Sequence, residues 1–76
     1  MDDTVLDARG LSCPLPVLRA RKAMRALAPG AVLRLLATDP GAVPDMEAWE
    51  RQTRHELVQV EELGEDLFRF LVRKTH

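Results

Sequence analysis

Five prolines decide where regular structure can run in this 76-residue chain. Pro14 and Pro16 stand one residue apart, Pro29 and Pro40 are each followed by glycine, and Pro44 comes shortly after. Proline has no N–H and a fixed φ, so it opens a helix or occupies a turn and is excluded from helix interiors and central strands. Between these fixed points the apolar residues change their period from two to about 3.6 and back, and that change defines the elements.

Thr4 to Ala8 combines β-branched and apolar residues and is closed by Gly10, which predicts a first strand. From Pro14 the apolar residues Val17, Ala20, Met24 and Leu27 recur at helical spacing until Pro29-Gly30 stops them. Ala31 to Thr38 alternates, with Leu33, Leu35 and Ala37 on one side and Val32, Arg34 and Leu36 on the other, and ends in Thr38-Asp39-Pro40-Gly41. A second helix is predicted near Pro44, at its first position, with Asp45 and Glu47 at the positive end of its dipole and Ala42, Met46, Trp49 and Thr53 as its buried stripe. His55 to Leu63 and Asp66 to Lys74 then form a hairpin turning at Gly64-Glu65.

The order β-α-β-α-β-β predicts an α+β fold, a two-layer sandwich with both helices on one face of a four-stranded mixed sheet. With 46% hydrophobic and 30% charged residues, the chain supports one core, so residues 1–76 are expected to form one domain. So small a core cannot enclose a large cofactor, and none is expected. Chemistry belongs near the surface, where a partner completes the site.

A single cysteine forms no internal disulfide and is too few for a cysteine-based zinc site, so no metal is expected and a reducing, cytoplasmic setting fits. The chain opens with acidic Asp2 and Asp3, and no apolar run approaches the length of a membrane span, so a soluble protein is expected. The formal net charge of −1 is unevenly spread. Residues 1–38 carry six Lys/Arg against three Asp/Glu, and residues 39–76 carry five against nine. The basic half contains Cys13.

Cys13 falls where a helix N-cap would sit, with Pro14 and Pro16 at the first and third helical positions, where they cost no hydrogen bond. The amides of Leu15 and Val17 and the positive helix end are expected to stabilise an anionic sulfur, with Arg9 as the nearest cation in sequence. Such surroundings bring a thiol from about 8.5 into the range of roughly 3.5 to 7.5. A free cysteine is commonly a small buried hydrophobe. Placement in a polar turn beside Ser12, at the start of an amphipathic helix, favours a working group instead. Gly10 gives the turn its backbone freedom, and Asp7 can bond the turn amides. A cysteine–histidine pair would need His55 or His76, the first read as a solvated turn residue and the second as frayed.

The run Asp7-Ala8-Arg9-Gly10-Leu11-Ser12-Cys13-Pro14-Leu15-Pro16 resembles the signature of the TusA (SirA-like) sulfur carrier family, built around a Cys-Pro-x-Pro motif. The likeness continues through Ala37-Thr38-Asp39-Pro40-Gly41, Asp45, Trp49 and His55-Glu56-Leu57. It implies that Cys13 accepts sulfane sulfur as a persulfide from a cysteine desulfurase or a rhodanese-like donor. It further implies that the sulfur passes to a downstream acceptor protein in tRNA 2-thiolation, molybdenum cofactor synthesis or sulfur oxidation. On this resemblance Asp7, Gly10, Pro14 and Pro16 frame the motif. Two positions depart from relatives: Arg54 stands where many have glycine, and Glu50 where some have a second cysteine. The first is expected to reshape the helix end, and the second removes any two-thiol mechanism.

One thiol can take and hand on sulfur but cannot cycle a dithiol, so the next acceptor must be another molecule. Leu15 and Leu18 lie among Arg19, Arg21, Lys22 and Arg25 on the helix side opposite the apolar stripe. With Arg9, the residues Leu15, Leu18, Arg19, Lys22 and Arg25 are candidates for docking acidic partners. Direct nucleic-acid binding is not expected, because the few aromatics fit core periodicity. Arg34, Leu36, Arg69, Leu71 and Arg73 share the other sheet face, which suits a monomer or a weak dimer. A noncatalytic redox-sensing or regulatory interaction domain is the alternative reading.

Overall fold

The computed structural model describes residues 3–76 and contains the elements the sequence predicts, in the predicted order. They are β1 (Asp3–Ala8), α1 (Leu15–Arg25), β2 (Val32–Ala37), α2 (Ala42–Thr53), β3 (Glu56–Gly64) and β4 (Leu67–Arg73). The sheet order is β1-β2-β4-β3, with β1 and β2 parallel and the other pairs antiparallel. A parallel pair needs a crossover, and α1 supplies it.

Alternation along the strands sends one set of side chains towards the helices. Leu6 pairs in register with Leu35, and Leu35 with Phe70; Leu33 faces Val72. Leu33, Leu35, Phe70, Val72 and Met46 are fully buried, each worth roughly 1.5–3 kcal/mol relative to exposure. Ala20 and Met24 of α1, and Ala42, Met46 and Trp49 of α2, close the core from above. Ala20 and Ala42, at 0% and 1% exposure, have the small side chains that let each helix lie close on the sheet. The opposite sheet face is open and carries the ion pairs Arg69–Glu61 at 2.8 Å and Arg73–Glu56. Arg69, Arg73 and Arg34 on that face all have partners within the chain.

Several boundaries differ from the sequence reading for identifiable reasons. α1 ends at Arg25 rather than running to Pro29, because Ala26 and Leu27 bond back three residues, to Ala23 and Met24, and tighten the last turn. α2 begins at Ala42, so Pro44 is its third residue rather than its first, still within the turn whose N–H groups have no helical partner. The hairpin turns at Glu65-Asp66, one residue later than expected; Gly64 pairs with Leu67, and Asp66 takes φ 55°. β3 is an edge strand with register shifts at Leu57/Gln59 and Glu62/Gly64. Val58 and Leu63 are the extra residues there, and both are exposed.

His55 is buried, not solvated, because its ring stacks on His76 at 4.4 Å and lies 5.7 Å from Trp49. Thr75 donates its amide N–H to His55 Nδ1 at 3.2 Å, and His76 is held by that stack rather than frayed. Burial, then His76 and Lys74, hold the His55 pKa below its ordinary value.

Candidate functional site

Cys13 is exposed and lies in the loop between β1 and α1. Three turns converge there. Gly10, at φ 80°, makes the first and donates its N–H to Thr38 Oγ1 at 2.9 Å, tying the β1–α1 loop to the end of β2. An L-residue would be strained at that angle. The second is the Thr38-Asp39-Pro40-Gly41 turn, whose Asp39 carboxylate accepts the N–H of Cys13 at 2.5 Å through one oxygen. Its other oxygen accepts the N–H of Gly41 at 3.0 Å. A Cβ built on Gly41 would lie 3.5 Å from Cys13 Cβ, so this loop rests against the cysteine. The third is the first turn of α2, where Asp45 accepts a hydrogen bond from the Cys13 thiol.

The prolines frame the sulfur somewhat differently from the sequence reading. Pro14, not Cys13, is the N-cap, so Cys13 precedes the helix by two residues, and Pro16 is the second helical residue rather than the third. The Cys13–Pro14 peptide is cis. Pro16 is fully buried and anchors the first turn in the core, while Pro14 stays exposed. The Leu15 N–H is not available to an anion: it donates to Ser12 O at 2.9 Å.

The electrostatics at the sulfur are opposite to those expected. Arg9 is engaged with Asp7: its Nε and Nη2 each donate to the carboxylate at 2.8 Å, and its backbone N–H donates at 3.1 Å. Those bonds hold the Asp7 carboxyl down to about 2 and raise the Arg9 pKa. The charges that act on Cys13 are carboxylates instead. The hydrogen bond to Asp45 raises the thiol pKa most, followed by desolvation and the charges of Asp45 and Asp39. Asp39 itself is held below its usual range by the N–H groups of Cys13 and then Gly41. The contact with Asp45 and the charges of Asp45 and Asp39 act against the partial positive charge of the helix end, so these surroundings favour the thiol over the thiolate.

Of the docking candidates, Leu15, Leu18, Arg19, Lys22 and Arg25 are all exposed on α1, with Leu15 at 43% and Leu18 at 48%. They do not all border the thiol. Leu15, Leu18 and Arg19 occupy the first turns, whereas Arg25 lies ten residues beyond Leu15, about 15 Å along the axis. Arg21 and Arg25 line a separate pocket of about 220 Å³ with Met24, Trp49, Lys74 and both histidines. His55 and His76 therefore form their own cluster at the far end of α1, apart from Cys13.

Asp39 and Asp45 are the site residues whose contact with Cys13 the sequence reading missed, the first at its backbone N–H and the second at its thiol. Asp39 was legible as a turn residue and Asp45 as a helix-dipole charge, and both belonged to the run that carries the family resemblance, but neither was assigned to the cysteine. Their approach to Cys13 spans 26 and 32 residues of sequence and depends on how the second βα connection folds over the first. No group of metal-ligating side chains occurs among the described residues, and no helix among them is long and apolar enough to cross a membrane.

Comparison with known proteins places these features in a family. Residues 4–74 match the sequence profile described as sulfurtransferase TusA. The sulfur carrier protein TusA of Allochromatium vinosum is 49% identical over 73 residues, covering 96% of this chain and 95% of that one. A SirA-like protein of Desulfitobacterium hafniense, solved by crystallography, superposes with a TM-score of 0.83 at 22% identity. That superposition covers 96% of this chain and 99% of the other, and at this identity it speaks for the fold.

Proposed function

Because the chain belongs to the TusA family of sulfur carriers, we propose that Cys13 is its carrying atom and holds sulfane sulfur as a persulfide. The observation that supports this reading most is the position of the thiol. The chain's one cysteine is exposed on a loop pinned by Thr38 and Asp39, where it is open to a partner. A sulfur carrier meets a donor and an acceptor in turn. With no second thiol in the chain, both are other molecules: a cysteine desulfurase or rhodanese-like donor, and a downstream relay protein. tRNA 2-thiolation, molybdenum cofactor synthesis and sulfur oxidation are all compatible destinations.

Asp7, Gly10, Pro14 and Pro16 act as the frame in this reading. Gly10 and Pro16 set the two ends of the loop, and Asp7 ties down the Arg9 side chain. Leu15, Leu18 and Arg19 form the near docking surface, extended by Lys22 and Arg25. The 76 residues serve as one carrier domain, working in the reducing cytoplasm without a bound cofactor.

The test is loading followed by reduction. Reduced protein is incubated with a cysteine desulfurase and cysteine, and intact mass is read before and after dithiothreitol. Gain of one reducible sulfur atom is expected, and its loss on Cys13→Ser. Absence of that gain in the wild-type protein rejects the carrier reading.

A further inference from the structure

A carrier thiol that rests beside two carboxylates faces a chemical difficulty. Attack on a persulfide needs the thiolate or a base to take the proton, and the surroundings of Cys13 disfavour the free thiolate. Arg9 does not compensate, since its guanidinium is held by Asp7 on the β1 side of the loop. Asp39 is occupied by two backbone N–H groups and does not accept from the sulfur. One group is left in contact with the reacting proton, and it is the carboxylate of Asp45, at the start of α2.

We propose that Asp45 is a catalytic residue of sulfur transfer, the base that takes the Cys13 proton on loading and returns it on release. This rests on the persulfide reading above and assigns the proton's path within it. On loading, the Cys13 S–H bond breaks and its proton passes to Asp45 Oδ2. The sulfur's electron pair forms a bond to the outer sulfur of the donor persulfide. The donor's S–S bond breaks with its electrons left on the inner sulfur, and that thiolate takes the proton from Asp45. A thiol and a persulfide have become a persulfide and a thiol, with no net change of oxidation state. Release runs in reverse: Asp45 accepts the acceptor's thiol proton and delivers it to the Cys13 sulfur as its S–S bond breaks. Between transfers the same hydrogen bond keeps the sulfur a protonated thiol, the form that reacts least with adventitious oxidants and alkylating agents.

The test compares wild type with Asp45→Asn and Asp45→Glu in two reactions of the intact protein. The first is sulfur uptake from excess cysteine persulfide, a small donor that makes no docking contacts, read by quenched intact mass on the acid side of the thiol titration. The second is the pH profile of Cys13 alkylation by iodoacetamide. General base catalysis contributes on the order of 10²-fold or more, so uptake by Asp45→Asn is expected to slow by about 100-fold, with part regained in Asp45→Glu. Alkylation moves the other way: its midpoint falls in Asp45→Asn, because the carboxylate that disfavours the thiolate has gone. A residue that only shapes the loop would impair both reactions together, and one that only docks partners would leave both unchanged. Uptake by Asp45→Asn at the wild-type rate, or an alkylation midpoint that stays or rises, overturns the proposal. In either case a wild-type protein that still loads sulfur leaves the carrier reading standing.

Discussion

Arg54 occupies a backbone conformation that its side chain disfavours. At φ 65° and ψ 14° it is the left-handed C-cap of α2, with its N–H bonded to Glu50 O at 2.8 Å. The expectation of a reshaped helix end is therefore not met: the turn keeps the geometry a glycine would adopt, at the cost of crowding the arginine Cβ. Arg54→Gly should stabilise the protein by about 1 kcal/mol, read as a higher thermal midpoint, with no change in sulfur loading. An unchanged or lower midpoint would mean that the aliphatic stem of Arg54 contributes packing that offsets the strain. The neighbouring departure, Glu50, has a structural use. Its carboxylate accepts the N–H of Leu57 at 2.7 Å and ties the end of α2 to the start of β3.

Among the elements, α1 joins the loop of the thiol to the core. Its N-terminal turn is held by buried Pro16, and its C-terminal turn carries Lys22 and Arg25, which complement the negative end of the dipole. Its last carbonyls are capped from outside the helix. Lys74, just after β4, donates its ammonium to Met24 O at 2.7 Å and Leu27 O at 2.5 Å, while the Gly30 N–H donates to Lys74 O at 2.7 Å. A charge-assisted hydrogen bond in a part-buried setting contributes about 1.5–3 kcal/mol. Lys74→Met keeps the stem and removes both donors, so it should cost roughly 2 kcal/mol in chemical denaturation. Alkylation of Cys13, at the other end of the helix, should keep its pH profile. A shifted profile would show that the cap also positions the site.

At the scale of the whole molecule, charge is separated between two surfaces. The outer turns of α1 present Arg19, Lys22 and Arg25 to solvent, and none of the three has an ion pair among the described residues. The open sheet face, by contrast, pairs its arginines internally, which weakens the case for self-association there. Reversing Arg19, Lys22 and Arg25 to glutamate should slow sulfur uptake from a desulfurase by about tenfold or more at low ionic strength, and by less at high salt. Uptake from cysteine persulfide serves as the control and should not change. Equal slowing with both donors would mean that the substitutions damage the site rather than the encounter.

The order of elements, the buried stripes of both helices and the core alternation of β2 and β4 were legible because each is a local period: 3.6 along α1 and α2, two along the strands. The prolines marked the starts of both helices to within two residues. Val58 and Leu63 were not legible as bulges, since nothing local distinguishes an extra residue from an alternating one on an edge strand. His55 was misread because its burial depends on how Trp49 of α2 and the C-terminal His76 pack against its ring, which no local period shows. The site divides in the same way. Sequence alone determined that one cysteine, framed by Pro14 and Pro16, stands at a helix start and has no second thiol to answer it. The electrostatic surroundings of that cysteine were decided by tertiary structure, because Arg9 turns to Asp7 while Asp39 and Asp45 arrive from a separate βα connection. A full charge in contact overrides a partial charge at a helix end, and which charges come into contact is a property of the folded chain.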